Sequence, residues 1–190
     1  ATQAVNHSIG VMTAKDDAAQ MSQGAGMTFR NNIEWLAGNY NEARMGSSIF
    51  SYLMGYEDPR LSVYFLPMDG NASYGVEAFD GKTYQAVPAG HANAQNDIYK
   101  SCSKPNIQSG TPTYWLRASE VYFLRAEAAL VWEGFGSADS WYKQGIDMSF
   151  QENGVTDPVD DYMNSNLSPR AYVLSHYQYG QTLSAPCETT

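Results

Sequence analysis

Charge is scarce in this sequence, and positive charge scarcest. Asp, Glu, Lys and Arg make up only 16% of its 190 residues, and eleven Lys plus Arg stand against twenty Asp plus Glu, a net charge of −9. A surface of that sign repels phosphate backbones and anionic lipid heads, which argues against nucleic acid and against direct electrostatic membrane binding. Also missing is any run of about eighteen apolar residues, so no segment reads as a membrane-spanning helix. The opening ATQAVNHSIG has neither a basic head nor an apolar stretch and does not read as a signal peptide. There are two cysteines, Cys102 in SCSKP and Cys187 in APCETT, and no CxxC spacing. They either pair in an oxidising compartment or remain free thiols. His7, His91 and His176 lie far apart, and no HExxH, GxSxG or P-loop pattern occurs. Asp69-Gly70-Asn71 and Asp157 to Asp161 hold oxygen ligands without the spacing of a twelve-residue calcium loop. No metal and no cofactor is therefore expected, calcium binding being possible but unsupported.

What is abundant is aromatic: fourteen Tyr, seven Phe and four Trp. Side chains with an apolar body and a polar tip suit places where one side packs and the other meets water or a ligand. Most of them are expected at the edge of a core. Along the chain, Ala1, Ala4, Val5 and Ile9 have helical spacing and Gly10 stands where a C-cap would, so residues 1–10 read as the end of a scaffold helix. Residues 13–28 read as loop. Met45, Ile49, Tyr52 and Leu53 then predict an amphipathic helix that Gly55 ends. Asp58-Pro59-Arg60 forces a turn, and Leu61 to Leu66 is β-branched and aromatic enough for a short strand. Residues 67–113 are rich in Gly, Asn, Asp, Ser and Pro, with Tyr74, Phe79, Tyr84 and Tyr99 among them. Long irregular stretches in compact domains usually carry function, which makes this the candidate ligand region.

The segment RASEVYFLRAEAALVWEG, residues 117–134, is apolar on more than one face. Val121, Leu124, Ala128 and Val131 form one stripe and Tyr122, Ala126 and Ala129 another, so a helix from about Trp115 to Glu133 should be covered on two sides. Ser137 and Asp139 supply an N-cap and a first-turn acid for a second helix running to Gly154. A tight connection makes the pair antiparallel. Ala126, Ala128 and Gly145 allow a close approach, and the whole of residues 115–153 has the pattern of a tetratricopeptide-type repeat. One such unit cannot bury both of its faces alone. Asp157-Pro158 turns the chain into a short helix near Val159 to Asn164, and an irregular part, 154–190, follows. The fold expected is mainly α, with helical hairpins, long irregular loops and little β.

These residues resemble the SusD/RagB family of outer-membrane glycan-binding lipoproteins. Ser119-Glu120-Val121-Tyr122-Phe123-Leu124-Arg125-Ala126-Glu127-Ala128-Ala129 is similar to the family's AEV/AEAA helix, and Trp141 to Ser149 is similar to its following helix with Gly-Ile. Tyr52-Leu53-Met54-Gly55, Asp58-Pro59-Arg60-Leu61 and Tyr64-Phe65 resemble a second family block, with Tyr74-Gly75 after it. Departures exist: Ala118-Ser119-Glu120 stands where members more often have Tyr-Ala-Glu, and the lipid-bearing Cys and paired-Arg signature are absent. On this resemblance the chain is expected to be an internal piece, 1–190, of one longer domain. The resemblance implies a non-catalytic protein on the cell-surface side of the outer membrane, held there through a lipid anchor outside these residues. It implies capture of oligosaccharide and a TonB-dependent transporter of the SusC type as partner.

Sugar rings offer apolar C–H faces that stack on Tyr or Trp, while their hydroxyls need amide, carboxylate or guanidinium partners. The candidates for carbohydrate contact are Trp35, Tyr40, Tyr74, Tyr84, Asn96, Asp97 and Tyr99, with Asn71 nearby. No catalytic residue is expected. Glu120 and Glu127, one heptad apart, are read as structural groups that bond to facing helices or to Arg117 or Arg125, because glycoside cleavage needs carboxylates flanking a cleft. Two other readings compete with glycan capture: a helical-repeat module that only docks proteins and, behind it, a glycan-active enzyme.

Overall fold

The computed structural model describes residues 2–24, 26, 28–68, 83–87, 100–170, 172–174 and 183–185. Contacts divide the chain into two compact units, Ala1–Met27 with Pro112–Asn164 and Thr28–Thr111 with Ser165–Thr190. Helix predominates, as the sequence predicts, and β-structure among the described residues amounts to two-stranded ribbons and isolated bridges.

The first unit contains α1 (Thr2–Val5), β1 (Ala18–Met21), β2 (Thr113–Arg117), α5 (Ala118–Val131), α6 (Ala138–Glu152) and α7 (Val159–Met163), while α2 (Asn32–Gly38), α3 (Ser47–Gly55) and α4 (Leu61–Tyr64) belong to the second. Its body is the α5–α6 hairpin. Partners run in opposite order along the two helices: Ser119 meets Glu152, Phe123 meets Tyr142 at 5.7 Å between ring centroids, and the Arg125 guanidinium lies 4.6 Å from the Trp141 ring. Ser137 caps α6 through the N–H of Ser140, and Gly134 and Gly136, both at φ 86°, make the intervening turn. The close approach has a specific cause. A Cβ added to Gly145 would stand 2.7–3.0 Å from three ring atoms of Phe123. The hairpin is therefore built around a phenyl ring lying on a bare backbone, with Ala126 and Ala128 buried on α5.

The open end of the hairpin is latched by charge. The Glu152 carboxylate, 1% exposed, accepts from the Ser119 N–H at 2.9 Å and hydroxyl at 2.6 Å and pairs with Arg117 Nε at 3.3 Å. Arg117 also donates to the Glu152 carbonyl at 2.8 Å. The last turn of α6 thus satisfies one orphan N–H, that of Ser119, in the first turn of α5. Tyr162 of α7 packs edge-on against Phe150 at 5.4 Å.

Three expectations change here. Ala18–Met21, within the stretch 13–28 read as loop, is a strand. Thr113–Arg117 is a strand paired antiparallel with β1, not the first turn of the helix, which starts at Ala118. Glu120 and Glu127 are exposed rather than buried on a packed stripe. Glu120 accepts the Arg117 backbone N–H at 2.9 Å, while the guanidiniums of Arg117 and Arg125 go to Glu152 and Trp141. An acid three residues into a helix is better used on the free N–H at the cap than on a distant cation.

The second unit holds α2 (Asn32–Gly38), α3 (Ser47–Gly55), α4 (Leu61–Tyr64) and the ribbon of β3 (Tyr172–Leu174) with β4 (Leu183–Ala185). Its core is Met45, Phe50, Ala86 and Cys102, with Met54, Leu61, Phe65, Tyr84 and Val87 packed around them. Three extended segments are laced beneath α3 by backbone bonds: Met45 N–H to Ser103, Val87 N–H to Met45, and Ser103 N–H to Gln85, each 2.8 Å. Leu61–Tyr64 is a helical turn, not the strand its β-branched residues suggest. The reason lies in Asp58, 5% exposed, whose carboxylate accepts the Arg60 N–H and Nε, both at 2.9 Å, and so caps the turn from outside. Phe65 alone takes an extended bridge, to Pro105.

Gly55 does more than end α3. A Cβ there would lie 2.4 Å from the Arg170 nitrogen, 2.4 Å from the Ser168 oxygen and 2.6 Å from the Pro169 Cα. The returning chain is fastened at this point, since Arg170 donates its N–H to the Ser51 carbonyl at 2.9 Å and the Ser51 hydroxyl donates to the Arg170 carbonyl.

In a helix interior Gly→Ala ordinarily gains up to about 1 kcal/mol. Here the sign reverses: Gly145→Ala should cost about 1–3 kcal/mol through overpacking, and Gly55→Ala more, because backbone atoms cannot rotate aside as a ring can. Urea unfolding of the two variants checks both the sign and the order. Glu152→Ala should cost about 3 kcal/mol by leaving Arg117 and Ser119 without their partner. Glu152→Gln should recover part of that loss in the same assay.

Candidate functional site

Helix α2 gives the clearest pairing of exposed aromatics with polar partners. Asn31 starts it: the side-chain oxygen accepts the Ile33 N–H at 3.0 Å, the amide donates to the Thr111 carbonyl at 3.1 Å, and its own N–H donates to Ser109 at 2.9 Å. The helix is therefore fixed at its N-terminus to residues 109–111. At the other end the chain folds back, with Asn39 and Tyr40 both donating N–H to the Trp35 carbonyl at 2.9 and 3.2 Å, and Asn41 left-handed at φ 57°. Arg44 holds that corner by donating to the side-chain oxygen of Asn41, to the Ala43 carbonyl and to the Lys100 carbonyl.

The fold-back brings Tyr40 against Trp35, edge to face, with centroids 4.4 Å apart and planes at 76°. Trp35 is half-buried and Tyr40 is 51% exposed. Arg30 lies 5.9 Å from the Trp35 ring and pairs with Glu34 at 2.9 Å. Two rings thus share a corner with a guanidinium and a carboxylate, and Ile33 and Leu36 are exposed on the same short helix. The arrangement can take an apolar ring face against Tyr40 and Trp35 while Arg30 and Glu34 bond to hydroxyls at its edge.

The other sequence candidates fare differently. Tyr84 packs against the Met45–Phe50–Ala86–Cys102 core, and burial pushes its phenol above the ordinary tyrosine range. It is placed as an edge-of-core residue. Tyr74, Asn96, Asp97, Tyr99 and Asn71 lie outside the described residues. Cys102 is fully buried, its Sγ 3.7 Å from the Ala86 carbonyl, and Cys187 lies outside the described residues. Among the described residues, no group of three His, Cys, Asp or Glu is placed to hold a metal, and no helix is long and apolar enough to cross a membrane.

Sequence reasoning passed over Trp115. The β1–β2 register slips between Ala19 and Gln20, paired with Leu116 and Tyr114, so Trp115 is the extra residue of a bulge. Side chains on a regular strand alternate between faces. Here both Tyr114 and Trp115 are exposed, the latter 68%, and Arg117 stacks on Tyr114 at 4.5 Å. A continuous apolar run gave no sign of the bulge, and its partner strand, AAQM, has no strand-like composition.

A helical hairpin in one unit, and in the other a laced core with an aromatic corner, define a mainly α scaffold that carries irregular segments. The family model described as Susd and RagB outer membrane lipoprotein matches residues 1–190, and the chain belongs to this SusD-like family. A SusD homologue from Bacteroides vulgatus is 32% identical, with a TM-score of 0.80, over 97% of this chain and 36% of its own. A chitin-binding SusD homologue from Flavobacterium johnsoniae is 26% identical, with a TM-score of 0.81, over 97% and 36%. A third, from Bacteroides thetaiotaomicron, is 30% identical, with a TM-score of 0.75, over 94% and 34%. The chain thus spans about a third of the length of these relatives. No curated protein matches it by sequence.

Tyr84 offers a test of its placement. The neutral phenol is favoured in the folded state, so its contribution is complete below the ordinary tyrosine pKa of about 10 and is lost as pH rises through and above it. The difference in phenolate absorbance between the parent protein and Tyr84→Phe should show a titration above that of free tyrosine. A midpoint at or below the free value would take Tyr84 out of the core edge.

Proposed function

We propose that this chain takes part in non-catalytic capture of oligosaccharide at the cell-surface side of the outer membrane, and in its delivery to a TonB-dependent transporter of the SusC type. Membership of a family of outer-membrane lipoproteins supports the location. The likeness to a chitin-binding homologue along nearly the whole chain supports a glycan as cargo. The observation that carries the reading is the Trp35–Tyr40 corner with the Arg30–Glu34 pair beside it. Aromatic surface held by a fold-back is rigid before ligand arrives, so little ordering entropy is lost when a sugar stacks on it. Tyr74, Asn96, Asp97 and Tyr99, outside the described residues, remain further candidates. Glu120 belongs to the scaffold and not to a cleavage site, being engaged by the Arg117 N–H.

Calorimetric titration of the full-length protein with chitooligosaccharides, extended to a glycan array, tests this. Trp35→Ala and Tyr40→Ala should each weaken binding about tenfold, a loss of about 1.4 kcal/mol. Tyr84→Phe should leave the affinity unchanged. Equal affinity in the parent and both alanine variants would remove the corner from the binding site. Binding to a transporter without any glycan response would favour the docking module, and release of reducing sugar would overturn the non-catalytic role.

A further inference from the structure

Backbone bonds set the path of the fold-back after α2 but tie it to that helix alone. Glu42 and Ala43 donate their N–H groups to the Leu36 carbonyl at 2.9 and 3.4 Å, as Asn39 and Tyr40 do to that of Trp35. A helix as short as α2 has little stability of its own to lend. The edge-to-face contact of Tyr40 with Trp35 gains less than ordering the whole fold-back costs. The corner needs an anchor in the core.

Arg44 supplies that anchor. Its Nε and Nη2 both donate to the Lys100 carbonyl, at 3.2 and 2.7 Å. Nη1 donates to the Ala43 carbonyl at 2.8 Å, and Nη2 also donates to the side-chain oxygen of Asn41, the left-handed residue on which the fold-back turns. Lys100 is a firm point of attachment. Ser101, Cys102 and Ser103, which follow it, are fully buried, and Ser103 is bonded to both Met45 and Gln85. One planar guanidinium therefore joins the turn to the laced core, a task that the point charge of a lysine ammonium cannot perform. Arg44 is half-buried and each of its three nitrogens is engaged. Arg30, its side chain 43% exposed, is the cation at the edge of the rings.

We infer that Arg44 is a positioning residue for carbohydrate binding: by fastening the turn at Asn41 and Ala43 to the Lys100 carbonyl, it holds Tyr40 against Trp35 before a sugar arrives. The inference rests on the Trp35–Tyr40 corner being the glycan contact proposed above, and it adds a group that governs affinity there without touching the ligand. Once Arg44 is removed, the fold-back takes up several positions and the sugar has to order it on binding. Affinity then falls although every contacting side chain is still present. An uncharged glycan feels little of the missing cation itself, so the loss is one of order and not of electrostatic attraction.

The test uses the full-length protein, first without sugar. Near-UV circular dichroism of the parent and Tyr40→Ala defines the signal of the Trp35–Tyr40 pair. Arg44→Met should lose most of that signal, while urea unfolding shows it folded under the conditions used. Calorimetric titration with chitooligosaccharides then closes a double-mutant cycle. Arg44→Met should weaken binding about fivefold, mainly through a less favourable entropy, but by less than about twofold in the Tyr40→Ala background. Arg44→Lys should recover little of the loss. Should Arg44→Met not fold, Asn41→Gly keeps the left-handed turn, removes one acceptor, and should give the same pattern at smaller size. An unchanged dichroism signal, or equal losses in the two backgrounds, would overturn the inference. Loss of the signal together with equal affinity in the parent and Trp35→Ala would overturn the role in binding for a different reason: Arg44 would hold the corner, and the corner would not be the glycan contact.

Discussion

The ring of Phe123 lying on the bare backbone of Gly145 sets the spacing on which the first unit depends. With any side chain at 145 the two helix axes would move apart. The tilted Phe123–Tyr142 pair and the Arg125–Trp141 stack are both built for the shorter distance. The latch of Arg117, Ser119 and Glu152 depends on it too, because a carboxylate with 1% exposure is tolerable only while all its partners remain within bonding distance. Apolar apposition brings the helices together and the buried charges then specify one register. A slip by a residue would leave Glu152 charged and unpartnered.

The second unit solves a similar problem at Gly55, with backbone in place of a ring. There the chain returning through Ser168, Pro169 and Arg170 crosses the end of α3 so closely that only hydrogen fits. The Ser51 hydroxyl and carbonyl fasten it. Beneath that crossing the core is rich in sulfur, with Met45, Met68 and Cys102 fully buried. Flexible thioethers fill the irregular space between laced extended segments better than branched aliphatics would.

Helical periodicity, the Ser137 cap and the small residues made the α5–α6 hairpin legible in the sequence, and Asp58-Pro59-Arg60 announced its turn. Other features depended on partners remote in the chain. Thr113–Arg117 continues the apolar pattern of α5 without a break, and only pairing with Ala18–Met21 makes it a strand. Leu61–Tyr64 has β-forming residues, yet the Asp58 carboxylate caps it as a helical turn, an instance of tertiary context overriding propensity. Gly55 reads as a helix stop; the reason for glycine there comes from residues more than a hundred positions later. Of the aromatic candidates, Trp35 and Tyr40 are separated by one fold-back and lie close in the sequence for that reason. Nothing local distinguishes Tyr84, which belongs to the core edge, from a loop tyrosine.

The N–H of Met68 donates to the carbonyl of Thr83 at 3.0 Å. Whatever path residues 69–82 take, they leave and re-enter the scaffold through two positions that are pinned side by side. A chain closed at its base lengthens at an entropic cost that grows only with the logarithm of its size. Insertions, deletions and wholesale exchange between these two anchors are therefore thermodynamically cheap for the unit that bears them. The length and composition of this stretch can change while the bonds of the frame around it stay intact.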